Sequence, residues 1–174
     1  MRGMYPELPI VGIEPALKPA ALQKEHPHVL VMATPMTVQQ EKFRQLMARY
    51  EDQAEIYPLA CPGLMEFVEA GDLESDRLRG FLQKLLAPYL SKQLDSVVLG
   101  CTHYPFARKI IQQIVGGSVT IFDGGEGTAR EMRRRLAEAG LLNPSQERGH
   151  VQFENSLSTE AELALCERLL NMEL

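Results

Sequence analysis

The sequence has no cysteine framework. Its three cysteines, Cys61, Cys101 and Cys166, are odd in number and far apart, and no two form a Cys-x-x-Cys pair. This excludes a disulfide scaffold and indicates free thiols in a reducing cytoplasm. No apolar run approaches the roughly 20 residues that a membrane-spanning helix needs. No signal-peptide pattern opens the chain either, since Met1 to Pro9 is short, mixed and holds two prolines. Lysine and arginine form no stripe and the formal net charge is -5, which argues against a nucleic-acid partner. The glycine-rich stretch from Asp123 to Gly127 lacks G-x-G-x-x-G spacing, and no P-loop lysine is present. His26 and His28 have no companion at metal-ligand spacing, so no metal site is expected.

What is present is enough for a folded core. With 174 residues and an apolar fraction of 45%, the chain has room for one ordinary domain or parts of two. Short apolar runs at Ile10–Ile13, Val29–Ala33, Glu55–Ala60 and Ser96–Leu99 read as strands. Helical patterns separate them. Ala16 to Lys24 is helix-prone but carries Pro19. Thr37-x-x-Gln40 has capping-box spacing ahead of Phe43, Leu46, Met47 and Tyr50. Leu64 to Glu69 is a short helical turn that stops near Gly71. Leu78, Phe81, Leu82, Leu85, Leu86 and Tyr89 mark one face of a long helix, ended or bent by Pro88. Strands alternating with helices indicate βαβ units and hence a parallel sheet with right-handed crossovers. The expected fold class is α/β: a doubly wound, three-layer parallel-sheet domain, plus a partial second α/β domain.

A helix opening at Pro105 ends at Gly116-Gly117, and the pattern then repeats only in part. Val119 to Phe122 reads as a strand, Thr128 to Ala139 as a basic helix and Val151 to Phe153 as a short strand. Thr159-x-x-Glu162 caps a last helix. Two strands and two helices cannot bury both faces of their own sheet, so this tail must lean on something else.

The chemistry is expected around Gly100-Cys101-Thr102-His103-Tyr104-Pro105. A buried strand stops at a glycine, a thiol, a hydroxyl and an imidazole follow at once, and a proline opens a helix. Open parallel sheets place ligands at such strand ends. Turn amides and a helix start suit Cys101 to a thiol that takes and gives protons, although many cysteines are simply buried and inert. His103 is suited to assist proton transfer, or else caps the helix. Thr34 and Thr37 offer hydroxyls at the same sheet edge, and Thr37 would serve equally as an N-cap. Glu69 is placed to bind an ammonium or to orient His103, though an exposed helical glutamate needs no function. Pro62 and Gly63 make Cys61 part of a shaped turn more than a reactive thiol.

The Gly100–Pro105 string resembles the second cysteine motif of bacterial glutamate racemases. Pro9–Pro15, Ala33-Thr34-x-x-Thr37-Val38, Ala60–Leu64 running into Val68-Glu69-x-Gly71, Val119–Gly125 and the Val151–Phe153 stretch agree in order and spacing. The resemblance implies a cofactor-independent enzyme that interconverts L- and D-glutamate and supplies D-glutamate for peptidoglycan. It also implies two cysteines on opposite faces of the substrate. Cys101 would be the second of these, Thr102 a contact to the substrate carboxylate, and His103 the assisting histidine. Thr34 and Thr37 would line the substrate site, and Glu69 would tune the acid–base groups.

The sequence departs from that pattern at its start, with no opening Asp-Ser-Gly motif and no Ala-Cys-Asn-Thr motif for a first cysteine. By resemblance, residues 10–118 form a complete α/β domain, and 119–174 are the carboxyl-terminal part of a split first domain. The expectation is a truncated racemase, impaired as this chain, whose exposed surfaces favour a homo-oligomer. Three alternatives stand beside it: an inactive binding or regulatory remnant, a related racemase acting on aspartate, and a one-cysteine acid–base or hydrolytic catalyst.

Overall fold

The computed structural model describes residues 3–5, 7–157 and 159–173, so Met1, Arg2 and Pro6 of the opening stretch lie outside it. Four strands, β1 (His28–Ala33), β2 (Glu55–Ala60), β3 (Ser96–Leu99) and β4 (Thr120–Asp123), form one parallel sheet in the order β2-β1-β3-β4. The chain leaves β1 toward β2, then crosses back to add β3 on the other side. The strand order therefore reverses between β1 and β3, and the carboxyl ends there form the crevice where such sheets bind ligands.

Strand β1 has five consecutive fully buried residues, Val29 to Ala33, because both its faces are covered. Leu30 and Met32 point into a core with Leu78, Leu82 and Leu86 of α5 (Asp76–Leu90) and Ile110 and Ile111 of α6 (Arg108–Val115). Val29, Val31 and Ala33 point the other way, onto Leu17, Ala20 and Ala21 of α1 (Leu17–Ala21) and Phe43 of α3 (Glu41–Ala48). The result is the expected three-layer α/β arrangement. The apolar stripe of α5 holds that helix on the sheet through Pro88 to Leu90, so the proline does not end it.

Three expectations change. Ile10–Ile13 is not a strand: at its end Ile13, with Glu14 and Pro15 after it, lies against Gly100 and Gly124 just beyond the carboxyl ends of β3 and β4. Val119–Phe122 does form a strand, but β4 pairs with β3 in the same sheet and does not leave it. Val151–Phe153 forms no strand, and Val151 is exposed.

The capping box proposed at Thr37 also gives way. Thr34 is the N-cap of α2 (Pro35–Gln39), and its hydroxyl accepts the Thr37 amide proton at 3.2 Å. Gln40 is extended, so the expected single helix breaks into α2 and α3. Replacing Thr34 by alanine orphans that amide and is expected to cost about 1 kcal/mol, read as a lowered urea midpoint.

After β4 come α7 (Gly125–Glu138) and α8 (Glu160–Leu170), neither with a fully buried residue. Thr159 caps α8 as expected, accepting the Glu162 amide proton. Among the described residues, no helix is long and apolar enough to cross a membrane.

Candidate active site

The turn after β3 needs a glycine for a steric reason. Gly100 donates its amide to the Met32 carbonyl at 2.8 Å, and a Cβ on Gly100 would lie 2.8 Å from that same oxygen. Such a contact is too close for any other residue, so the backbones of β1 and β3 stay in register up to the point where Cys101 emerges. Tyr104–Ala107 then form a 3-10 turn before α6. Tyr104 is fully buried, and its hydroxyl donates to the Cys61 carbonyl at 3.4 Å, tying this turn to the one after β2.

This frame lines up three side chains. The sulfur of Cys101 lies 3.7 Å from His103 Nδ1, and His103 Nε2 lies 2.5 Å from Glu69 Oε1. Glu69 ends α4 (Leu64–Glu69), which stops where Gly71 takes a left-handed conformation at φ 66°. A carboxylate, an imidazole and a thiol thus form a continuous chain. With Nε2–H donating to Glu69, Nδ1 is free to accept the Cys101 proton and to hand it back. Cys101 and His103 are half-buried and Glu69 is exposed, so the chain is reachable from solvent.

Two cavities flank it. One, of about 240 Å³, has Gly100, Cys101, Thr102 and Pro105 on one side and Asp123, Gly124 and Gly125 on the other, with Ile13, Glu14 and Pro15 across the top. The second, of about 350 Å³, lies between the Glu69–His103 pair and α8, and Thr102, Phe106 and Cys166 also line it. Arg168 docks α8 there by donating to the Gly71 carbonyl at 2.7 Å. Thr102 borders both cavities. Thr34 and Thr37, whose hydroxyls are 2.8 Å apart, stand at the end of the neighbouring strand and line neither.

The structure therefore brings Cys101, Thr102, His103 and Glu69 together and places the two threonines beside them, engaged with each other. It also shows what sequence reasoning missed: Glu14, Asp123 and Gly124 as cavity walls. The available signal was the repeat of one grammar, a strand running straight into glycine, at Leu99-Gly100 and again at Asp123-Gly124. A Cβ on Gly124 would lie 2.8 Å from the Glu14 carbonyl oxygen, which is why glycine stands there. Among the described residues, no group of three or more His, Cys, Asp or Glu side chains is set to hold a metal ion.

Cys61 is a different kind of thiol. It is buried, its sulfur donates weakly to the Leu59 carbonyl at 3.5 Å, and burial pushes its pKa from 9.0 up to about 12. The folded protein holds this proton longer than the unfolded chain does. Its contribution to stability is thus intact below pH 9 and is lost as the pH rises toward 12. The urea midpoint is expected to fall across that window, and less steeply in Cys61→Ala.

Residues 1–132 match the Asp/Glu/Hydantoin racemase family. The chain is 47% identical to a glutamate racemase of Clostridium perfringens over 173 residues, which are 99% of this chain and 66% of that protein. The Escherichia coli glutamate racemase, solved with L-glutamate and the activator UDP-MurNAc-Ala, superposes with a TM-score of 0.73 at 27% identity. That match covers 93% of this chain and 62% of the other. The RacE1 isoform of glutamate racemase from Bacillus anthracis shares the fold, with a TM-score of 0.76 at 24% identity over 99% of this chain and 65% of that one. The chain thus spans slightly less than two thirds of the length of these relatives. With a family match across all four strands of its sheet and its cysteine turn, the chain belongs to the Asp/Glu/Hydantoin racemase family.

Proposed function

We propose that this protein acts on glutamate as a cofactor-independent racemase, an isomerase of D-glutamate supply for cell-wall peptidoglycan, and that Cys101 is one of its two proton-transfer groups. The observation that carries the reading is the Cys101–His103–Glu69 chain at the strand-order reversal. His103 takes the thiol proton, the thiolate removes or returns the hydrogen on Cα, and the Glu69 carboxylate holds the imidazole in the required tautomer. Thr102, which borders both cavities, offers its hydroxyl to a substrate carboxylate, while Thr34 and Thr37 are given that role by the family resemblance alone. No cofactor enters this scheme, because fixed dipoles at the turn stabilise the carbanion-like state.

A two-base inversion needs a second group on the other face of Cα. Cys61 does not suit that role, being buried with its proton firmly held. For this chain the reading covers proton transfer at the one face of Cα that Cys101 meets. The same proposal assigns α7, α8 and the segment between them to a second α/β unit. That neither helix buries a residue supports this assignment.

Substrate choice is tested without turnover. Glutamate is expected to slow alkylation of Cys101 by iodoacetamide, with aspartate protecting less and alanine least. Alkylation at an unchanged rate in saturating glutamate would remove the substrate assignment, and better protection by aspartate would reassign it.

A further inference from the structure

The wall facing Cys101 is tied down by a pair of charges that the acid–base chain does not use. Arg108 is the first residue of α6, just after the turn that carries Cys101, Thr102 and His103. One of its terminal nitrogens donates to the Ile121 carbonyl at 3.1 Å, and the other pairs with Asp123 Oδ2. Asp123 Oδ1 accepts the Gly125 amide proton at 2.9 Å. The two side chains are 29% and 24% exposed, so solvent screens the pair only in part. Asp123 and Gly125 line the cavity whose other side holds Cys101 and Thr102. A single guanidinium thus joins both sides of that cavity.

The pairing also settles a charge problem. Glu14 and Asp123 are acidic residues that both line the cavity, so an anionic molecule entering beside Cys101 would come within the field of both. With Arg108 against it, Asp123 presents a dipole in place of a net charge. We propose that Arg108 and Asp123 are a positioning and charge-neutralising pair that fixes the cavity wall opposite Cys101 and lets carboxylate-bearing molecules reach the thiol. This rests on the reading of Cys101 as the reacting group.

The test reads the field at the thiol. Cys101 is alkylated at low ionic strength with iodoacetamide, which is neutral, and with iodoacetate, which carries a carboxylate; peptide mass spectrometry follows the site. Both reagents attack the same thiolate, so the ratio of their rates cancels its population and reports the charge that each meets. In Arg108→Met the iodoacetate/iodoacetamide ratio is expected to fall about fivefold, because Asp123 is left unpaired. Adding Asp123→Asn should restore it. Asp123→Asn alone, nearly isosteric and safer for folding, should raise the ratio above that of the parent protein.

A merely structural role would change both reagents alike and leave the ratio constant in all three variants, which would overturn the proposal. A fall in Arg108→Met that Asp123→Asn does not reverse would overturn it too. No glutamate turnover is needed. A protein that never exchanges the α-hydrogen can still pass this test, and a failed ratio leaves the racemase reading untouched.

Discussion

Cys101→Ser is expected to lower hydrogen exchange at Cα of glutamate by about 10³-fold or more. The change is small in volume and lies at a half-buried turn, so the fold should be retained, with a stability change of about 0.5 kcal/mol or less. What disappears is acidity. A serine hydroxyl gives up its proton far less readily than a thiol, and an imidazole at 3.7 Å cannot make up that difference against a weakly acidic carbon. NMR observation of the α-proton in heavy water measures the rate, and circular dichroism confirms the fold. Residual exchange near the parent rate would mean that another group is the base.

His103→Asn is the second large effect, with an expected loss of about 10²-fold in the same assay. Asparagine keeps a hydrogen-bonding side chain at the turn and still reaches toward Glu69, but it cannot accept the thiol proton. The loss should therefore fall on the rate constant more than on the half-saturation for glutamate. Glu69→Gln separates positioning from charge. It keeps an acceptor 2.5 Å from Nε2 but removes the carboxylate, so a loss much smaller than that of His103→Asn would make Glu69 a positioning residue.

Much of this site was legible from the chain. Val97, Val98 and Leu99 running into Gly100 signal a buried parallel strand that stops abruptly, and Cys101 and His103 must then stand at the sheet's carboxyl edge. Glu69 was harder, because a glutamate closing a short helix looks solvent-directed; only the return of the chain from β3 brings His103 against it. The fold of Ile10–Ile13 was misread for a related reason. Four apolar residues carry no mark telling a strand from a strap laid over strand ends, and the contacts that decide it come from Gly100 and Gly124 far along the chain. Thr37 gave way to Thr34 as the cap because Pro35 fits the first helical turn, moving the start three residues back. Arg108 and Asp123 were invisible as a pair. Their contact spans a whole helix and strand, and neither residue type is unusual where it stands.

The most direct measurement is deuterium incorporation at Cα of L- and D-glutamate by the folded protein in heavy water, with Cys101→Ser alongside. The account predicts exchange that favours one enantiomer, as a thiol on a single face requires, and its loss in the variant. No exchange in saturating glutamate, or exchange that survives the loss of the thiol, would contradict it.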